Sequence, residues 1–120
     1  MTLHESGEMY LGTIYRISLV KSEVRSVQVA ESLGVTKPSV SRAISTLKEA
    51  GYLTMDKDRF IHLTDKGLEV AKKIYNRNNM LVKFLNLVGV PEEIALIDAC
   101  KMEHAISDTT YDAMKTYFNF

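Results

Sequence analysis

The stretch Val27-Gln28-Val29-Ala30-Glu31-Ser32-Leu33-Gly34-Val35-Thr36-Lys37-Pro38-Ser39-Val40-Ser41-Arg42 decides the fold. Ala30 is small where two short helices would cross, Gly34 permits the positive φ of a tight turn, and Val35 and Val40 fill a shared core. That is the steric plan of a helix-turn-helix. Val27 to Leu33 reads as its first helix, and Thr36 as the N-cap of the second, which runs to about Ala50. Pro38 falls in the first turn, where backbone N–H groups have no intrahelical partner in any case. The residues left at the outer start of that helix are Thr36, Lys37, Pro38, Ser39, Ser41 and Arg42. Apart from the proline these are short hydrogen-bonding groups and cations, the types that reach phosphates and base edges in the major groove of double-stranded DNA.

Working outward, Tyr52-Leu53-Thr54-Met55 and Phe60-Ile61-His62-Leu63 flank the polar run Asp56-Lys57-Asp58-Arg59, which predicts a short hairpin. With it the element becomes a winged helix-turn-helix, and Arg59 at the wing tip joins the DNA-contact candidates. On the other side, Met9, Leu11, Ile14, Tyr15, Ile17 and Leu19 follow a helical period and predict an amphipathic helix from about Ser6 to Lys21. Gly7 and Gly12 each weaken it by about 1 kcal/mol relative to alanine, so the turns carrying Met9 are marginal on propensity alone. Thr64 caps a long fourth helix through Leu68, Ala71, Ile74, Leu81, Leu85 and Val88, with Gly89 as its stop. Pro91-Glu92-Glu93 opens a fifth, with proline at its first position, and Ser107 caps a sixth. The expected fold is mainly α, with a winged helix-turn-helix over residues 1–64 and a helical domain over residues 65–120.

The 120 residues, 46% hydrophobic and 25% charged, lie in the ordinary globular range. A run long enough to cross a membrane is absent, and Met1-Thr2-Leu3-His4-Glu5 lacks the basic start of an export signal, so a cytoplasmic protein with no membrane partner is expected. The lone Cys100 excludes an internal disulfide and leaves a reduced thiol available as a ligand. Net charge is zero, and residues 1–64 carry eight Lys and Arg against seven Asp and Glu, so any basic footprint for nucleic acid must be local.

Cys100, Glu103 and His104 stand at i, i+3 and i+4 of the fifth helix and so project from one side of it. A thiolate, a carboxylate and an imidazole converging there make half a shell for a divalent transition metal. The plain structural alternative is a small buried cysteine, a solvated glutamate and a satisfied histidine near a helix end. An enzyme with Cys100 as nucleophile and His104 as base lacks an orienting third group and an oxyanion-forming loop, so neither catalysis nor an organic substrate is expected.

Two blocks, Glu8-Met9-Tyr10-Leu11 with Ile14-Tyr15 and Ala99-Cys100 with Glu103-His104 ahead of Ser107, bracket the winged helix. With them, nearly the whole chain resembles the diphtheria toxin repressor family of metal-dependent regulators. The resemblance implies a homodimeric repressor in which Met9 joins Cys100, Glu103 and His104 around an activating metal. Asn78, Val82 and Leu96 replace the ancillary-site ligands of the iron-responsive branch, and Met9, Gly12 and Cys100 replace the binuclear ligands of the manganese-responsive branch. Neither second site is therefore expected, Asn78 being read as a surface or capping residue, with an amide oxygen given to a second metal as its alternative role. No residues remain after the sixth helix for the third domain of the classical iron regulators, so a short, two-domain form is expected.

Sulfur from Met9 and Cys100 favours Fe(II) as cofactor, with Mn(II) as the second candidate. Because Met9 lies in the DNA-binding half and the other three ligands in the C-terminal half, the ion is expected to tie the halves together and set the spacing of two recognition helices. Ile94, Ile97, Ile106, Met114 and Phe118 are the candidate dimer face, a monomer core being their alternative role. The competing functional reading is a metal-independent winged-helix regulator whose Cys100 senses oxidants or is simply packed.

Overall fold

Gly34 sits at φ +67°, a left-handed conformation that its missing β-carbon makes inexpensive, and there the chain turns from one short helix into the next. The computed structural model describes residues 5–119, so the export-signal reading of Met1 to His4 lies outside the described residues. Among these residues the elements follow as α1 (Glu5–Val20), α2 (Ser26–Leu33), α3 (Lys37–Glu49), β1 (Leu53–Met55), β2 (Ile61–Leu63), α4 (Asp65–Leu87), α5 (Glu92–Ala105) and α6 (Asp108–Phe118). The fold is mainly α, a winged helix-turn-helix followed by a helical segment. It forms two compact units that divide inside α4, between Lys73 and Ile74.

In the first unit, Leu11 and Ile14 of α1, Val29 of α2, Val40 and Ile44 of α3, and Leu53 and Ile61 of the wing make one buried cluster. α1 is continuous through Gly7 and Gly12 because its Tyr10, Leu11 and Ile14 are buried in that cluster, and packing of one face supplies what propensity withholds. Thr36 caps α3, its hydroxyl accepting from the Ser39 N–H at 3.3 Å. The wing pairs antiparallel, Leu53 opposite Leu63 and Met55 opposite Ile61, and the Ile61 N–H also donates to Val24 O at 2.8 Å.

One carboxyl organises the wing turn. Asp56 Oδ1 accepts from the Asp58 and Phe60 N–H groups at 2.9 and 3.0 Å, and Oδ2 faces His62 Nε2 at 2.8 Å. The His62 hydrogen bond first, and the Phe60 N–H second, hold this carboxyl below its ordinary range. Arg59 is carried at φ +67°, rare for a residue with a side chain.

The first turn of α4 is bolted to the end of the helix-turn-helix. Thr64 N–H donates to Tyr52 O at 3.1 Å, its hydroxyl donates to Gly51 O at 2.7 Å, and the hydroxyl oxygen caps α4 by accepting from Gly67 N–H at 3.1 Å. Lys66 Nζ donates to Ala50 O and lies 4.2 Å from the centre of the Tyr52 ring. A β-carbon built on Gly67 would stand 1.9 Å from Tyr52 O, so only glycine allows this approach.

In the second unit Met80, Leu81 and Leu85 of α4 cluster with Ala95 and Ala99 of α5, and Met102, Ile106 and Met114 pack against them. Phe118 meets Phe84 edge to face with ring centres 5.1 Å apart. Ile106 and Met114 are half-buried against this cluster and Phe118 is half-buried as well, while Ile94 and Ile97 are exposed, together with Leu87 at the end of α4 and Val88 just after it. Pro91 is the N-cap of α5 and not its first helical residue, because its ψ of 147° is extended while its carbonyl accepts the first helical bond from Ala95. Asn78, expected at the surface, is buried.

Gly67→Ala is expected to destabilise the first unit by about 3 kcal/mol, since the opposing atom is backbone and cannot swing aside; urea denaturation followed by circular dichroism measures it. Because Asp56 has a depressed carboxyl pKa in the folded wing, its contribution to turn order is complete above the ordinary aspartate value of about 3.9 and is lost as pH falls through the lower folded value. Amide shifts of Asp58 and Phe60 should titrate in that acid range and be flat in Asp56→Asn.

Candidate metal centre and nucleic-acid interface

α5 presents a buried stripe at every fourth residue, Ala95, Ala99 and Glu103. The two alanines leave room at the core, and the stripe then ends on a carboxyl group, a residue type almost never found fully inside unless paired. Glu103 is 4% exposed, and its Oε2 has no hydrogen-bond partner among the described residues. The imidazole of the next residue is buried as well, and His104 Nε2 stands 3.2 Å from Glu103 Oε1. Two donors held about 2.1 Å from one ion, and roughly 90–109° apart around it, would stand about 3.0–3.4 Å from each other. The pair thus has the bite of a chelate, and the unsatisfied oxygen beside it suits a cation. These residues fit a divalent metal.

The remaining sequence candidates are placed differently. Cys100 is exposed. It precedes His104 by one turn and projects in nearly the same direction, but a cysteine side chain is too short to fold back toward the core as the imidazole does. Among the described residues, no three His, Cys, Asp or Glu side chains are gathered closely enough to hold an ion. Met9 lies in the first unit, half-buried on α1.

Sequence reasoning missed the residue that braces this turn. Arg77, 5% exposed on α4, donates from one guanidinium nitrogen to Glu103 O at 3.2 Å and Ile106 O at 2.9 Å. Its other terminal nitrogen pairs with the Asp108 carboxylate at the start of α6, and its guanidinium lies 5.2 Å from the centre of the Tyr111 ring. Nothing in its sequence neighbourhood distinguishes it from the other cations of α4, Lys66, Lys72, Lys73 and Lys83. Only the packing of three helices turns it inward.

In the first unit a groove of about 510 Å³ runs beside α3. Lys37, Ser41, Ser45 and Lys48 line it from one stripe of that helix, Arg25 from the start of α2, and Met55 and Arg59 from the wing. Four cations and no carboxylate face it, which is the local positive footprint that a chain of zero net charge requires to meet phosphate. Of the sequence candidates, Lys37, Ser41 and Arg59 meet here. Thr36 is spent on the cap, with its hydroxyl also donating to the Ser39 hydroxyl at 2.9 Å. Pro38, Ser39 and Arg42 lie on α3 but do not line the groove.

Arg25, Ser45 and Lys48 were missed. Ser45 and Lys48 continue the Lys37 and Ser41 stripe and were within reach of periodicity. Arg25 was not, because it is brought in by its 3.4 Å hydrogen bond to Asp58 O and its stacking 4.2 Å over the Phe60 ring.

Comparison with known proteins agrees with both halves. Residues 2–61 match the family model of the iron dependent repressor N-terminal DNA binding domain, and residues 64–120 match that of the iron dependent repressor metal binding and dimerisation domain. The chain is 33% identical over 108 residues to the transcriptional regulator MntR of Salmonella typhimurium, covering 90% of this chain and 69% of that protein. It is 34% identical over 107 residues to the HTH-type transcriptional regulator MntR of Bacillus subtilis, covering 89% and 75%. Among solved structures, the manganese regulator SloR superposes with a TM-score of 0.83 at 27% identity, over 99% of this chain and 55% of that one. The metal-dependent transcriptional regulator MtsR does so with 0.87 at 29%, over 95% and 54%. The chain thus spans about half the length of these solved relatives. It belongs to the iron-dependent repressor family, and is a metal-responsive, DNA-binding transcriptional regulator with a winged helix-turn-helix and a C-terminal metal-binding and dimerisation domain.

Proposed function

We propose that this protein is a homodimeric, cytoplasmic repressor activated by Fe(II), with Met9, Cys100, Glu103 and His104 as the ligands. The single observation that carries the metal assignment is the buried Glu103 and His104 pair at 3.2 Å with one carboxyl oxygen unsatisfied. Leaving such a group buried without a partner costs about 1–3 kcal/mol, which a bound cation offsets. Cys100 and Met9 enter through the family resemblance, and their sulfur favours Fe(II) over the harder Mn(II). When bound, the ion supplies a crosslink between groups that are separate in sequence. Metal and operator then bind with reciprocal coupling.

On the DNA side, α3 enters the major groove and Lys37, Ser41 and Arg59 contact the duplex, with Thr36, Pro38, Ser39 and Arg42 at the start of the same helix. Arg25, Ser45 and Lys48 extend the contact along the groove. Leu87 at the end of α4, Val88 just after it, and Ile94 and Ile97 of α5, all exposed and apolar, form the face for a second copy. In the dimer, two recognition helices would meet half-sites about one helical turn of DNA apart.

A second reading, favoured by the exposure of Cys100, is a metal-independent regulator that responds to thiol oxidation. Operator titrations with anaerobic Fe(II), Mn(II) or chelator separate the two. Metal-responsive affinity supports the first reading, and affinity that changes only with oxidant supports the second.

Glu103→Gln and His104→Ala are expected to lower affinity for the ion by at least about 100-fold and to remove metal-stimulated operator binding without unfolding the chain; anaerobic calorimetry and fluorescence anisotropy check this. Cys100→Glu should shift the preference from Fe(II) towards Mn(II), and an unchanged order of metals would count against a sulfur ligand. Arg59→Gly should relieve the left-handed backbone and raise stability by up to about 1 kcal/mol while weakening operator binding. Lys48→Ala should flatten the salt dependence, reducing the slope of log K against log salt by about 0.9.

A further inference from the structure

We infer that Arg77 is the positioning residue of the metal centre, the group through which α4 fixes where Glu103 and His104 stand. This rests on the metal reading of that pair. The carbonyls of the last turn of a helix have no intrahelical donors. In α5 that last turn, residues 102–105, carries both Glu103 and His104. Arg77 gives one of its terminal nitrogens to the Glu103 carbonyl itself and to the Ile106 carbonyl just past the helix end. Its other terminal nitrogen engages Asp108, the first residue of α6. One planar, always-charged fork therefore spans the residues on both sides of the bend, from the ligand turn to the next helix.

The placement is costly and specific. The guanidinium is buried, its Nε has no hydrogen-bond partner among the described residues, and its carboxylate partner is largely exposed. A lysine could not reproduce the fork, and an apolar side chain would leave both carbonyls unmet. The positive charge also lies at the C-terminal end of α5, where the helix dipole favours it. Bracing at the ligand's own backbone carbonyl acts on the rotation of the turn. A small rotation there moves the Glu103 oxygens and the His104 ring, on which the 3.2 Å bite depends.

The test uses Co(II), whose visible bands report ligand number and geometry. The full chain and its Arg77→Met, Arg77→Lys and Asp108→Asn variants are titrated anaerobically, with Glu103→Gln and His104→Ala alongside. In Arg77→Met, Co(II) affinity should fall by about 10- to 100-fold, the range for losing a partner that orients a metal ligand. The band envelope at saturation should change too, while the apo helix content is kept. Arg77→Lys should recover part of the affinity, and Asp108→Asn should lose less than Arg77→Met.

Parent affinity and an unchanged envelope in a folded Arg77→Met variant would overturn the inference, provided Glu103→Gln and His104→Ala lose the metal. If those two also bind as the parent does, the metal reading itself has failed and this inference fails with it. Should Arg77→Met not fold, Arg77→Lys and Asp108→Asn decide. A weakened affinity with an altered envelope supports positioning, and parent values in both overturn it.

Discussion

A carboxyl group and an imidazole, both buried and 3.2 Å apart on adjacent residues of α5, are the constraint around which the C-terminal half is organised. Helical neighbours point about 100° apart, so side chains at 103 and 104 meet only if each bends toward the other. Ala95 and Ala99 make this feasible by keeping the approach to the core thin, and Arg77 holds the turn from below by its carbonyls. Read without a cation, the arrangement leaves a polar atom unsatisfied inside the protein. The proposed cation would satisfy it.

The N-terminal half solves a different problem, which is to collect positive charge in a neutral chain. It does so by geometry. The α3 stripe, the start of α2 and the wing tip bring Arg25, Lys37, Lys48 and Arg59 to one groove, while the acidic residues lie elsewhere. The wing is shaped for this role at some local cost, since Arg59 occupies a conformation that glycine would adopt more readily. Gly67 matters for an equally local reason. Its missing β-carbon lets the first turn of α4 sit on Tyr52 O.

Much of the fold was legible because its signals are short-range. Gly34 at the turn and Thr36, Thr64 and Ser107 at helix starts all perform the roles that their residue types suggest. The resemblance likewise pointed to the correct family. What could not be read depends on how elements pack. Ile106, Met114 and Phe118 carry the same hydrophobicity as Ile94 and Ile97, and only the positions of α4 and α6 decide which are covered. Cys100 and His104 share one side of a helix, yet side-chain length separates an exposed thiol from a buried ring. Arg77 and Arg25 draw their significance from partners 26 or more residues away, a range that helical periodicity does not cover.

Anomalous diffraction from crystals grown anaerobically with Fe(II) bears most directly on the buried pair. A peak at the iron edge within coordination distance of both Glu103 and His104, at about 2.0–2.2 Å from their oxygen and nitrogen, is the expected result. Iron located only at other residues, with the Glu103 and His104 side chains still paired to each other, would contradict it.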